Sequence, residues 1–221
     1  MYFHRRKMEK DPFSSFDIKR KVYHDFFKRG LERGFEMYIA SGKENYIEPM
    51  TFSDAYRYNG EFFEPIGKAE KMDAVFDRSG GMFFPTEIIS PKTLNTIHFK
   101  KLCNNKNSTQ KLIGEFMPKS AEIKNKNELL QQLKKFSTSR LVVLKPANGM
   151  CGNGIIIDHP EKISQTNIEN GREYILQEFV DTSDGIPGII DGHHDLRIVI
   201  VNGKIVLSHV RAPKSGSLLA N

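Results

Sequence analysis

Residues 141–157, which read LVVLKPANGMCGNGIII, place the strongest restriction on the fold. An apolar run closed by Lys145 and a proline predicts a buried strand, and Gly149, Gly152 and Gly154 leave backbone N–H groups free to surround an anion. A second strand follows. The pattern is therefore neither a Walker loop, which needs Gly-Lys-Ser/Thr after the glycines, nor a dinucleotide fingerprint, which needs a helix there. The segment predicts a strand–loop–strand unit suited to binding a polyphosphate. The alternative is an ordinary glycine-rich hairpin that carries a surface lysine.

The rest of the second half predicts two helices and further strands. Residues 105–116 form one predicted helix, and residues 125–136 form another, with Asn and Glu at capping-box spacing and leucines on one face. Strands are predicted at 174–180 and on both sides of Asn202-Gly203, a two-residue turn typical of a β-hairpin. Short connections between strands favour an antiparallel sheet.

The first half predicts a smaller α/β layer. A helix is expected to begin after the N-cap candidates Ser14 and Ser15 and to end before Gly34, with strands at 35–40 and 74–76. We expect a domain boundary near residue 118. This boundary gives two domains, 1–117 and 118–221.

The charge balance favours anionic partners. The 33 Lys and Arg residues exceed the 27 Asp and Glu residues, giving a net charge of +6. Nucleotide phosphates, nucleic acid and acidic substrates all fit this sign, but the interleaved acidic residues argue against nucleic acid. No apolar run reaches the roughly 20 residues of a membrane span, and the start MYFHRRKMEK lacks a secretory apolar core. With two cysteines and no CxxC spacing, we expect a cytoplasmic protein without a zinc site.

Several short motifs occur in a characteristic order along residues 73–221. In chain order they are Asn105-Lys106, Met117 to Ser120, Lys145 with its glycine loop, Gln177 to Val180, Asp195-Leu196-Arg197, Arg211, Lys214, Gly216 and Asn221. This order resembles the ATP-grasp superfamily, in the branch of glutathione synthetases and ribosomal-protein glutamate ligases. The resemblance implies an α/β (α+β) protein with a small N-terminal pre-ATP-grasp-like domain followed by an incomplete ATP-grasp domain.

The resemblance also implies roles for particular residues. The implied ATP-binding residues are Lys106, Lys145, Gly149, Gly152, Gly154, Gln177, Glu178, Phe179, Val180, Asp181 and Asp184. The two lysines would contact phosphates, the strand exit 177–180 would bind the adenine edge, and one of the two aspartates would bind the ribose hydroxyls. The implied catalytic residues are Arg197, Arg211 and Asn221, the arginines steadying the transferred phosphoryl group. The plain alternatives are a helix-start lysine for Lys106 and solvated charges for the arginines.

The implied activity is ATP-dependent ligation of a carboxylate to an amine through an acyl phosphate, which forms a C–N bond. Small-molecule or peptide carboxylates and amines are the implied substrates, and a homo-oligomer stays open. In the family, the carboxylates that hold magnesium follow the position matched by Asn221. We therefore expect the ATP cofactor to need Mg²⁺ ligands beyond that residue, no metal ligand within the chain, and no turnover from these residues alone. A non-catalytic nucleotide-binding module is the alternative, and a basic nucleic-acid-binding protein is the third reading.

Overall fold

A mixed α/β fold is built on two four-stranded sheets, one in each half of the chain. The computed structural model describes residues 1–3, 8–47, 50–79, 92–94, 96–149 and 152–219. The chain divides into two units, Met1–Lys101 and Leu102–Asn221. Among the described residues, no helix has the length and apolar content needed to cross a bilayer.

The first unit contains short strands and one long helix. In chain order its elements are β1 (Tyr2–Phe3), α1 (Asp17–Glu32), β2 (Tyr38–Ser41), a 3-10 turn (Lys43–Asn45), β3 (Tyr46–Ile47), β4 (Thr51–Phe52), β5 (Ala55–Tyr58), β6 (Phe63–Pro65), β7 (Glu70–Lys71), β8 (Val75–Phe76), β9 (Thr93–Leu94) and the start of α2 (Ile97–Asn104). The main sheet has the order β1-β2-β5-β6, in which β1 pairs parallel to β2 and the other pairs are antiparallel.

An aromatic core joins α1 to this main sheet. Phe13, Phe27 and Phe63 are each at most 1% exposed, and the rings of Phe27 and Phe63 meet edge to face at 4.8 Å. The predicted helix is present, but its N-cap is Phe16 rather than a serine, and no side chain caps it. Burial of the aromatic face therefore holds the helix, because helical stability in proteins comes mainly from tertiary packing.

The second unit alternates short helices with strands. After α2 its elements are α3 (Lys106–Ile113), a 3-10 turn (Gly114–Phe116), β10 (Ser120–Ile123), α4 (Lys126–Leu133), a 3-10 turn (Lys134–Phe136), β11 (Val142–Pro146), β12 (Ile156–Asp158), α5 (Pro160–Ile163), β13 (Tyr174–Glu178), β14 (Asp195–Val201) and β15 (Lys204–Arg211).

Helix α3 lies in the second unit, so the division falls before residue 118. The backbone N–H of Lys106 donates to the carbonyl of Ala147 at 2.9 Å, and Asn105 and Asn148 form a β-bridge. These contacts tie the start of α3 to the end of β11. The sequence does not predict these contacts, because the partners of Asn105 and Lys106 lie about 40 residues further along the chain.

The second sheet is antiparallel throughout, as the sequence predicts. Its strand order is β10-β13-β11-β12, and β10 has no counterpart among the predicted strands. One face packs on α4 and α5 and buries Val142, Leu144 and Leu176 together with Leu129 and Ile163. Because side chains alternate along a strand, the residues between them face the other side of the sheet. That second face carries the candidate site.

The predicted hairpin at Asn202-Gly203 is also present. Strands β14 and β15 form a separate two-stranded sheet, with Asp195 paired with Arg211 and Val201 paired with Lys204. Asn202 adopts φ +50° and Gly203 adopts φ +74°, the left-handed conformations that a type I′ turn requires.

Candidate active site

A cavity of about 320 Å³ lies between the second face of the antiparallel sheet and the segments that flank the β14–β15 hairpin. Val143, Lys145 and Gln177 line it from β11 and β13, in keeping with the alternation along those strands. The remaining lining residues are Ile155, Ile157, Glu178, Phe179, Val180, His194, Asp195, Pro213, Leu218 and Leu219. The cavity therefore combines apolar walls with the ammonium of Lys145 and the carboxylates of Glu178 and Asp195, of which Asp195 is paired with Arg211. Apolar walls with a few polar groups are typical of a small-molecule site.

Lys145 is the cation of this cavity. It is half-buried on β11, and its Nζ donates to Oε1 of Gln177 at 2.6 Å. Burial lowers the pKa of Lys145 below its ordinary value, and the nearby positive charge of Lys106 lowers it further. This is the only hydrogen bond that the described residues give the ammonium, so two of its three N–H donors are open to a ligand.

Lys106 is placed differently. Its Nζ donates to the carbonyl oxygens of Pro146, Ala147 and Gly149 at 3.1, 3.3 and 3.1 Å. These bonds use all three N–H donors, and burial lowers the pKa of Lys106. Lys106 does not line the cavity. In this conformation Lys106 holds the carbonyl groups at the start of the glycine loop. Its contact with phosphate stays a prediction.

The predicted glycines adopt conformations that other residues rarely take. Gly152 and Gly154 both have φ +73°, and Gly149 has φ +155°. A Cβ added to Gly154 would lie 3.0 Å from Cγ of Pro146, so the end of the loop is also sterically restricted. Cys151, which the sequence places within this loop, lies outside the described residues.

The predicted adenine segment, Gln177 to Val180, lines the cavity where β13 ends. The ring of Phe179 meets His193 edge-on at 5.9 Å. The two predicted ribose ligands, Asp181 and Asp184, are exposed just beyond it. Hydrogen bonds from Ser183 lower the pKa of Asp181, which keeps that carboxylate charged as an acceptor. The segment is therefore adjacent to Lys145 in the same cavity, although its separate roles stay predictions.

The two predicted catalytic arginines lie on the hairpin and converge on Asp195. Arg211 donates from Nε to Oδ1 of Asp195 at 3.1 Å and from Nη2 to Oδ2, and the Arg197 Nε lies 3.7 Å from Oδ1. The hydrogen bond from Arg211 is the main cause of the lowered pKa of Asp195. Asp195 lines the cavity, whereas neither arginine does. The third predicted catalytic residue, Asn221, lies outside the described residues.

The described residues contain no preformed cluster of metal-ligating side chains. No group of three or more His, Cys, Asp or Glu side chains within them is placed to hold a metal. Asp195, the aspartate of the cavity lining, has both oxygens engaged by Arg211. A carboxylate held in this way is a poor ligand for a cation that needs free oxygen donors.

Sequence reasoning missed several residues of the site. Ser120, at the start of β10, hydrogen-bonds to Gln177, and His194, Pro213 and Leu218 line the cavity. Each reaches the site through pairing or folding of distant segments. Among these four residues, only Ser120 belongs to a motif that the sequence singles out.

An antiparallel sheet presents a lysine and a strand exit to one cavity. A glycine-rich loop follows the lysine strand, and a β-hairpin follows the strand exit. These parts in this order are typical of an ATP-grasp domain. The chain belongs to this class: residues 105–221, just over half of it, match the family of the prokaryotic glutathione synthetase ATP-grasp domain.

A curated relative and two solved structures agree with this assignment. A probable alpha-L-glutamate ligase of Cellvibrio japonicus (strain Ueda107) is 26% identical over 212 residues, an alignment that covers 86% of this chain and 63% of the relative. The chain thus spans less than two thirds of the length of that relative.

The structural likeness extends along most of the chain. The RimK domain ATP-grasp protein of Sphaerobacter thermophilus DSM 20745 superposes with a TM-score of 0.56 at 12% identity, covering 96% of this chain and 72% of that one. D-alanyl-alanine synthetase A of Vibrio cholerae O1 biovar eltor str. N16961 gives 0.53 at 9% identity, covering 90% and 65%. At these identities the likeness establishes the fold.

Proposed function

We propose that this protein is an ATP-dependent carboxylate–amine ligase that binds ATP in the cavity of the antiparallel sheet. The observation that carries the proposal is Lys145, a half-buried ammonium with two open donors, next to an apolar strand exit in a fold of the ATP-grasp class. Fixed positive charge in a partly desolvated site stabilises the negative charge of phosphates far better than charge in water does.

The proposed reaction has two steps. A carboxylate oxygen attacks the γ-phosphorus of ATP, the bond to the bridging oxygen breaks, and ADP leaves. An amine then attacks the carbonyl carbon of the acyl phosphate, inorganic phosphate leaves, and the amine nitrogen loses a proton to give the amide. Splitting the reaction in this way replaces a poor leaving group by a good one.

In this proposal the residues of the chain position and stabilise the reactants. Lys145 binds phosphate oxygens, and the backbone of residues 177–180 binds the adenine edge. Arg211 and Arg197 do not line the cavity, but both pair with Asp195, which does, and they would bind the acyl phosphate on exchanging that carboxylate for a phosphate. No step is assigned to a metal ion, because no group of three or more metal-ligating side chains lies together among the described residues.

Isothermal titration of ATP into the full chain tests the binding site. We expect Lys145→Ala to weaken ATP binding by about 1.5–3 kcal/mol, the usual contribution of a hydrogen bond to a charged group. Lys134→Ala, which removes an exposed lysine after α4 in the same unit, is the matched control and should bind like wild type. Equal affinity of the wild type and Lys145→Ala would contradict the assignment of the site.

Turnover separates the ligase from its alternative. The name of the curated relative makes glutamate the first amine to offer, with amino acids and peptides as carboxylates. Release of ADP in step with an amide product is expected when the magnesium ligands that the resemblance places after Asn221 are present in the protein tested. ATP binding without any product across this panel would instead favour the non-catalytic nucleotide-binding module.

A further inference from the structure

A chain of three hydrogen bonds leads from the backbone before β10 to the ammonium of Lys145. Ser120 Oγ donates to the carbonyl oxygen of Pro118 at 2.6 Å, and Gln177 Nε2 donates to Ser120 Oγ at 2.8 Å. Lys145 Nζ then donates to Gln177 Oε1 at 2.6 Å. The chain crosses three neighbouring strands, since Ser120 and Gln177 are cross-strand partners and β13 pairs with β11.

Only one set of directions satisfies every member of this chain. The Pro118 carbonyl can only accept, so the single hydroxyl hydrogen of Ser120 points to it and a lone pair of Oγ is left for the Gln177 amide nitrogen. The amide oxygen then faces Lys145, which can only donate. A flipped amide would place its NH₂ group against the ammonium and leave both without an acceptor.

Burial makes this order costly to break. Gln177 is 7% exposed, so water has little access to either end of its amide. A buried polar group that loses its partner suffers the full cost of its desolvation. Without the Ser120 hydroxyl, the amide nitrogen would be buried without an acceptor, and the side chain would move to find one.

We propose that Ser120 is a positioning residue of the nucleotide site, which acts through Gln177 to hold the Lys145 ammonium in place for the phosphates. The proposal rests on the proposed function of Lys145. A lysine has a long flexible side chain with high rotamer entropy, and an acceptor fixed in the folded protein reduces what ligand binding must order. One donor of Lys145 is used for this purpose, and the other two stay open to phosphate oxygens.

Calorimetric titration of the full chain with ATP and with adenosine tests the proposal. Ser120→Ala is expected to weaken ATP binding about three- to tenfold and to leave adenosine binding unchanged, because adenosine carries no phosphate for Lys145. Ser120→Thr keeps the hydroxyl and should restore ATP affinity to within about twofold of wild type. The matched control is Ser164→Ala, which removes a hydroxyl that also donates to a carbonyl, in a helix end away from the cavity.

A double-mutant cycle shows whether the effect passes through Lys145. In a Lys145→Met background, Ser120→Ala should cause no further loss of ATP affinity. Gln177→Met keeps the length of the side chain without its hydrogen bonds and should weaken ATP binding by the same factor as Ser120→Ala. It therefore tests the same contact if Ser120→Ala folds poorly.

The outcomes are distinguishable. ATP affinity unchanged by Lys145→Met would overturn the proposed nucleotide site itself. If Lys145→Met weakens ATP binding but Ser120→Ala does not, the positioning role is wrong and the site stands. Equal losses for ATP and adenosine, or an equal loss in the Lys145→Met background, would show that Ser120 only supports the local structure.

Discussion

Replacing Lys106 with methionine should destabilise the protein more than it impairs nucleotide binding. The substitution keeps much of the aliphatic side chain but removes the ammonium that holds the carbonyls of residues 146, 147 and 149. A hydrogen bond to a charged group contributes about 1.5–3 kcal/mol. The three bonds do not add, because burying the ammonium is itself unfavourable, as its lowered pKa shows, and because water can reach the carbonyl of Gly149.

We therefore expect a loss of about 2 kcal/mol, close to the contribution of one such bond. For a protein of this size, each kcal/mol changes the melting temperature by about 2–4 °C, so the shift should be about 4–8 °C. Thermal unfolding followed by circular dichroism measures it. Lys111→Met is the matched control: Lys111 lies on the same helix, but its 3.0 Å contact with Glu122 is an exposed ion pair, which contributes about 0–1 kcal/mol.

Two results would refute this reasoning. If Lys106→Met and Lys111→Met melt at the same temperature, the three carbonyl contacts contribute nothing to folding. If Lys106→Met keeps the wild-type melting temperature but loses ATP affinity, the ammonium leaves the carbonyls and binds phosphate directly, as the family resemblance predicts.

Two further predictions concern the core and the hairpin of the second unit. Leu129→Ala should cost about 3–4 kcal/mol by chemical denaturation, whereas Leu130→Ala, at a position 42% exposed, should cost less than about 1 kcal/mol; equal losses would contradict the assigned helix face. Because Arg211 lowers the pKa of Asp195 below its ordinary 3.8, this carboxylate stabilises the folded state above that value and loses its contribution as the pH falls through its lower folded-state pKa. Asp195→Asn should therefore be less stable than wild type at pH 7 but equally stable at strongly acidic pH, and a constant difference across this range would contradict the assigned pair.

The sequence predicts an element well when the residues that begin or end it lie close to one another in the chain. Asn125 caps α4 by accepting from the backbone N–H of Glu128, and the Glu128 carboxylate accepts in return from the backbone N–H of Lys124, one residue before the N-cap. The turn at Asn202-Gly203 also follows from two residues alone. In such cases the residues that decide the conformation lie within a few positions of one another.

The first half shows where local signals were insufficient. The sequence predicts a strand at 35–40, whereas β2 spans Tyr38–Ser41 and gains its register from β1 and β5. No sequence pattern predicts β3, β4 and β7, which form a small sheet of two-residue strands. Strands this short carry too few residues for a period to be read, so pairing with distant segments decides them.

The candidate site shows the same division. Lys145 and the strand exit Gln177 to Val180 could be selected from the sequence because each is marked by residues next to one another in the chain, and the structure brings them to one cavity, whereas the three glycines do not line it. Their roles toward phosphate and adenine stay predictions. The hydrogen bonds of Lys106 to the loop entrance and of Ser120 to Gln177 could not be predicted, because they join residues about 40 and 57 positions apart. Only the folded backbone brings such groups within hydrogen-bonding distance.

The two faces of β11 separate folding from chemistry along one strand. Val142 and Leu144 are fully buried against the helices, whereas Val143 and Lys145 line the cavity. Substitutions of the first pair are limited by the volume that they must fill, whereas substitutions of the second pair would be limited by the ligand of the proposed site. Val143 is therefore the first position to randomise in a search for altered nucleotide preference in the proposed site. A library at that position varies the cavity wall without disturbing the packing that keeps the protein folded.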